Sequence, residues 1–157
     1  RSRGIEPYLK DLTNQLIEYL LGVTDVSPRE TLTAFEKAIE SGEMPVAKLA
    51  KSEYLSMNPE GYRKKMEKGG KPRRAALEVA LKMDKPVKMG DQVSFYIQPR
   101  EKGQASDWQR ANALEAFDPE SAPYDPKYYL KKIKDWLKRY DAFLPEDPDS
   151  TRQSEFL

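Results

Sequence analysis

At 157 residues, with 27 basic against 26 acidic side chains and 38% hydrophobic content, the chain suits one domain, or a domain with a tail, and is long enough to bury a proper core. It contains no Cys and no His, which excludes disulfides, thiolate chemistry, zinc fingers and every His-based catalytic arrangement. A mean hydropathy of −0.83 is polar for a globule, so part of the length reads as surface segment or disordered tail.

No apolar run approaches the ~18 residues that span a bilayer, and Arg1-Ser2-Arg3-Gly4 leads into no signal-type apolar core. An intracellular protein is the expectation, and the abrupt charged start reads as a piece excised from something longer. The net charge of +1 hides an uneven distribution. Residues 61 to 82 hold eight basic residues and two acids, and residues 146 to 157 hold four acids and one Arg. A positive face and a negative tail follow, and the first keeps polyanion binding open.

From about Pro7 to Leu21, Leu9, Leu12, Leu16, Ile17, Tyr19 and Leu20 recur at helical spacing, with Gly22 placed as a C-cap. Ser27-Pro28-Arg29-Glu30 is a capping box with Pro at the first helical position, and Leu32, Phe35, Ala38 and Ile39 follow as an apolar stripe. Pro45 begins a connector, and Leu49 to Leu55 suits either a short strand or an extended arm. Asn58-Pro59-Glu60-Gly61 reads as a turn or a single helical turn with an Asn cap.

The stretch Gly61 to Arg74 holds seven cations, Arg63, Lys64, Lys65, Lys68, Lys71, Arg73 and Arg74, against one acid, Glu67. Gly69-Gly70 reads as a hinge within a basic loop. Pro72 stands at the expected first position of a third helix, roughly Pro72 to Met83, whose N-terminal N–H groups would face phosphate. On charge alone, a solvated basic loop explains the stretch as well. In that helix Arg74, Glu78 and Lys82 are spaced to pair along one edge, and the remaining residues are apolar, as in a core helix.

Lys88-Met89-Gly90-Asp91 is a turn, and Val93, Phe95 and Ile97 alternate along a strand, 92 to 98, that Pro99 stops. A second short strand is expected around Ala113 to Ala116. Asp125-Pro126 caps a last helix, Lys127 to about Phe143, with Tyr129, Ile133, Trp136, Leu137 and Tyr140 as its buried stripe. Its outer lysines, Lys131, Lys134 and Lys138, suit ordinary solubility. The interleaved aromatics Tyr54, Tyr62, Tyr96 and Trp108 suit core or rim packing better than base stacking.

The sequence has no Gly-rich phosphate loop, dinucleotide fingerprint or nucleophile elbow, and its acids are scattered, so no catalytic centre and no two-metal site are expected in this chain. Its composition is that of a phosphate-backbone binder. An interaction module whose basic loop meets an acidic protein partner is the alternative.

Four motifs occur in a telling order: Tyr62-Arg63; Lys71-Pro72-Arg73 before an Ala-rich helix; Met89-Gly90-Asp91-Gln92-Val93; and Tyr124-Asp125-Pro126-Lys127-Tyr128-Tyr129 after Phe117-Asp118-Pro119. Together they resemble the carboxy-terminal thumb region of family B DNA polymerases, over about residues 3 to 144. The resemblance implies an α+β, mainly helical thumb, here residues 1–144, that grips duplex primer–template DNA mostly through phosphates. The palm domain that it would adjoin carries the paired aspartates and Mg2+ in that family. The family's backbone contacts carry over onto Arg63, Pro72 and Arg73, and by proximity Lys64, Lys65, Lys68, Lys71 and Arg74 join them. Arg73 stands where His is usual, the loop before it is longer and more basic, and Ser56 lies near a usual Arg or Lys.

Residues 145–157 read as a disordered acidic tail. Its end, Gln153-Ser154-Glu155-Phe156-Leu157, is similar to the short peptides through which polymerases dock on a sliding clamp. Gln153, Phe156 and Leu157 would be the docking residues. Phe and Leu stand in the reverse of the usual order.

Overall fold

The computed structural model describes residues 4–104 and 106–146. Over them seven helices surround a three-stranded antiparallel sheet, the expected mainly helical α+β class. The residues of the predicted clamp-docking peptide, and most of the tail, lie outside those described.

Helix α1, Pro7–Leu20, packs on α2, Pro28–Ser41, which packs in turn on the last helix, α7, Pro126–Tyr140. The Ser27 capping box forms as the sequence predicts. The Ser27 hydroxyl accepts from the Arg29 N–H, Glu30 accepts from the Ser27 N–H, and Gly42 ends the helix at φ +82°. At α7 the Asp125 carboxylate likewise accepts from the Lys127 N–H. The helix closes at Tyr140, and a 3₁₀ turn takes the chain on to Phe143.

The apolar stripe of α1 sits elsewhere than expected. Tyr8, Leu12 and Leu16, at successive spacings of four, enter the core, whereas Ile17 and Leu20 remain about half exposed. An aromatic with a polar tip thus outcompetes two aliphatic residues for the inner face, because its hydroxyl finds a buried carbonyl.

After a one-turn helix, α3, Val46–Leu49, the connector forms strand β1, Lys51–Tyr54, so the strand alternative holds over the arm. It pairs with β2, Gln92–Ile97, in the register Lys51 opposite Phe95 and Ser52 opposite Ser94. The two serine hydroxyls meet at 2.6 Å. Gly4 lies against this strand so closely that a Cβ there would stand 2.0 Å from the Ser52 carbonyl oxygen, so only Gly fits. The second strand is β3, Ala111–Ala113, earlier than predicted; a one-turn helix, α6, Asp107–Arg110, precedes it and a 3₁₀ turn over Leu114–Ala116 follows. The α6 turn is held by a capping box at Ser106. Tyr96 is fully buried beside Phe95 and Ile97, so the end of β2 is covered on both faces rather than half-buried.

Helix α4, Pro59–Glu67, and helix α5, Ala75–Lys82, pack together, and α5 covers β2 and β3. A buried arginine ties the end of β2 to the start of α7. Arg110 is 5% exposed, pairs with the Asp125 carboxylate, donates from Nε to the Gln98 carbonyl at 3.1 Å and lies over the Tyr128 ring.

Tyr129 joins the helical layer to the sheet. Its hydroxyl oxygen accepts from the Ile97 N–H at 2.8 Å, and its carbonyl accepts from the Tyr8 hydroxyl at 2.9 Å. The rings of Tyr8, Tyr124 and Tyr128 all meet it edge to face. Replacing Tyr129 by Phe removes the acceptor of a buried N–H and is expected to cost about 1–3 kcal/mol in urea unfolding, with an unchanged m-value.

Burial raises the phenol pKa of Tyr8, Tyr128 and Tyr129 above the ordinary value, with nearby Glu6 adding to the effect on all three. The folded state therefore favours the neutral phenols. The stability they contribute is fully present below the unfolded pKa of about 10 and is lost as pH rises beyond it. With no His and no Cys titrating in between, the melting temperature is expected to stay flat from about pH 6 to 9 and to fall steeply above about pH 10. Thermal melts across that range check both halves of the statement.

Candidate nucleic-acid interface

The basic stretch is not a hinged loop. Its first half, through Glu67, belongs to α4, where Tyr62 and Met66, four apart, turn inward and hold the helix on α5. The Gly69-Gly70 pair closes this helix. The Gly69 N–H donates to the Met66 carbonyl, the Gly70 N–H donates to the Lys65 carbonyl at 2.9 Å, and Gly69 stands at φ +79°. A Cβ on Gly70 would lie 2.7 Å from the Lys65 carbonyl oxygen, so the second glycine is required by close approach. Sequence reasoning read these glycines as flexibility; they are a cap.

Helical geometry then divides the cations. Successive residues turn by about 100°, so on the outward face of α4 Arg63 and Glu67 fall to one side, Lys65 and Lys68 to the other, and Lys64 between them next to Glu60. Arg63 pairs with both of these carboxylates, directly with Glu60 and at 3.3 Å with Glu67. The hydrogen bond to Glu60 is the main cause that raises its pKa above the ordinary arginine value. Lys64, Lys65, Lys68 and Lys71 are exposed, and none has a salt bridge among the described residues. Those four lysines and Arg74 are thus the part of the predicted cation set without a salt bridge, and Arg63 is internally neutralised.

The second half also departs from expectation. Helix α5 begins at Ala75 with Arg74 as its N-cap, so Pro72 lies three residues outside it rather than at its first position; the Lys71–Pro72 peptide is cis. The expected edge of Arg74, Glu78 and Lys82 does not form. Glu78 instead receives the Tyr62 hydroxyl at 2.6 Å and Arg73 Nη1 at 2.9 Å, both on Oε2, and the Tyr62 hydroxyl oxygen accepts from the Arg74 N–H at 3.0 Å. Burial, then the hydrogen bond to Glu78, raises the Tyr62 phenol, and the same carboxylate raises the Arg73 guanidinium.

Of the four aromatics, Tyr62 and Tyr96 are core residues and Tyr54 is 72% exposed. Trp108 has a role that the sequence did not reveal: its ring carries the Arg73 guanidinium at 4.8 Å. The spacing of thirty-five residues between the two offers no local signal for that contact.

Beside this segment opens a cleft of about 360 Å³, in which Lys51, Arg73 and Arg74 face Glu6, Glu53 and Asp107. Three cations against three acids do not make an anion pocket, and Glu6 is further tied to Lys132 at 3.3 Å. The unbalanced positive surface is the outer one, running from the lysine flank of α4 to Lys71. Among the described residues no group of three or more Asp or Glu side chains is placed to hold a metal ion. No helix among them is long and apolar enough to cross a membrane.

No protein-family model matches the chain, and no curated protein sequence matches it. Among solved structures, its fold is similar to part of the family B DNA polymerase from the hyperthermophilic archaeon Pyrobaculum calidifontis, with a TM-score of 0.64 and 19% sequence identity. The match takes in 90% of this chain and 18% of the polymerase chain. The chain thus shares the fold of one part of that polymerase and spans about a fifth of its length.

Replacing Tyr62 by Phe tests how the segment is anchored. It strips one hydrogen bond from Glu78 and one from the Arg74 N–H, and an expected loss of about 1–3 kcal/mol should appear in chemical unfolding.

Proposed function

We propose that this chain is the thumb region of a family B DNA polymerase and holds duplex primer–template DNA, without regard to sequence, through its phosphates. The observation that carries the reading is the likeness of fold over 90% of the chain to a family B polymerase. The order of polymerase-like motifs in the sequence supports it, and so does the exposed lysine flank. In this reading Lys64, Lys65, Lys68 and Lys71 supply point charges, Arg73 and Arg74 approach from the segment before α5, and the neighbouring domain is a palm that carries the catalytic carboxylates. Arg63 contributes less than its sequence position implies, because two glutamates already neutralise it. Residues 1–144 would form the thumb and residues 145–157 an acidic tail.

Lysines on a helix flank suit this task. An ammonium on a flexible stem meets a phosphate without fixed geometry and carries no base preference. If about four cations reach phosphates, log affinity should fall with log salt at a slope of roughly −4. Replacing Lys64, Lys65 and Lys68 together by Gln should flatten that slope by about 2 to 3. Anisotropy titrations of a labelled primer–template duplex at several salt concentrations measure both, and a salt-independent affinity would sink the proposal.

A further inference from the structure

Arg73 is the one cation of the segment that the fold holds from two sides. Its Nη1 donates to Glu78, whose side chain is only 13% exposed, and its guanidinium lies over Trp108. The restraints come from separate elements, α5 and α6, and the Glu78 carboxylate is itself fixed by the hydroxyl of Tyr62, which is 1% exposed and belongs to α4. Arg73 remains 43% exposed, and the bond to Glu78 uses one of the five N–H donors of a guanidinium. An arginine seated in this way loses little further side-chain freedom when an oxyanion arrives, and its planar fork matches two phosphate oxygens.

We propose that Glu78 and Trp108 are positioning residues that hold the Arg73 guanidinium ready for a backbone phosphate of duplex DNA. The inference rests on the thumb reading and adds to it the residues that set the geometry of one contact. Charge alone argues for the opposite effect of Glu78. A carboxylate near the path of a polyanion repels it, and removing that carboxylate would then tighten binding. Glu78 is 13% exposed against 43% for Arg73, so a phosphate meets the guanidinium first and feels the carboxylate from a guanidinium's width away, screened by salt. Arg73 touches Glu78 directly, and touching groups that share a network couple more strongly than groups held apart by a third. Positioning therefore outweighs repulsion, and neutralising Glu78 weakens the grip.

The test titrates the whole 157-residue chain with a fluorescein-labelled primer–template duplex. Glu78→Gln and Trp108→Leu are each measured alone and combined with Arg73→Ala. Each single change is expected to weaken binding by about five-fold, and to have no further effect once Arg73 is gone. Unchanged or tighter binding by Glu78→Gln overturns the inference. So does an equal loss in the Arg73→Ala background, because that reports general damage rather than positioning. Should Glu78→Gln melt out, Trp108→Leu keeps the guanidinium's carboxylate partner and decides the matter by the same comparison. A wild-type chain without salt-dependent affinity for the duplex overturns the thumb reading and this inference together. Wild-type binding with unaffected variants overturns the inference alone.

Discussion

The fold depends on Tyr129 and on what its burial demands. A tyrosine at 1% exposure must place its hydroxyl, and the backbone beside it, against partners that water would otherwise supply. Ile97 gives its N–H to the ring hydroxyl and Tyr8 gives its own hydroxyl to the backbone carbonyl, so one residue ties α7 to both β2 and α1. Tyr124, next in the same cluster, reaches α2 through the Ile39 carbonyl at 2.9 Å, and Trp136 reaches α1 through the Thr13 hydroxyl at 3.0 Å. Phenylalanines would fill the same volume without fixing direction. With tyrosines the core specifies how the helical layer sits on the sheet, and among the described residues no buried side-chain N or O is left without a partner.

The basic segment inherits its geometry from that arrangement. Helix α5 lies on β2 and β3, α4 lies on α5, and α6 leads directly into β3. Glu78, Tyr62 and Trp108 are the points at which these three elements meet the chain between Pro72 and Ala75. Cations on the surface of the same protein consequently differ in kind. Those of α4's outer flank are long, hydrated point charges with a rigid helix beneath them; Arg73 is a planar group oriented by a carboxylate and an indole. On the proposed reading, the first kind supplies attraction and the second supplies register along the duplex.

Much of this was legible in the sequence where local chemistry decides. Ser27 to Glu30 and Asp125-Pro126 announce helix starts because capping satisfies N–H groups within three residues, and both form as expected. Strand β2 was visible in the alternation of Val93, Phe95 and Ile97. Helix α4 was missed because seven cations in fourteen residues read as solvated loop, although Asn58-Pro59 and the inward pair Tyr62 and Met66 were the signals that mark it. Pro72 was misplaced for a related reason. Proline suits the first turn of a helix, but nothing local distinguishes that position from an extended segment three residues earlier. The partners of Arg73 were beyond reach, since Glu78 and Trp108 become its neighbours only through the packing of α5 and α6. The edge expected for Glu78 followed from helical spacing alone, and a buried tyrosine hydroxyl took precedence over it.

A chain of net charge +1 can still favour a polyanion if its unpaired cations cluster on one part of the surface. Glu60 and Glu67 face Arg63, Glu78 is turned inward beneath Tyr62 and Arg73, Glu6 meets Lys132, and Asp125 meets Arg110. Each pairing takes up a cation along with the acid, so the total is unchanged, and what matters is where the unpaired charges stand. Over the ~8 Å that a charge is felt at physiological salt, local balance matters and the total does not. Within the span of Lys64, Lys65, Lys68 and Lys71 the one acid, Glu67, is paired with Arg63. Arg63 meets Glu60 and Glu67 together, so its one guanidinium offsets half of the negative charge of the two carboxylates nearest those lysines in sequence.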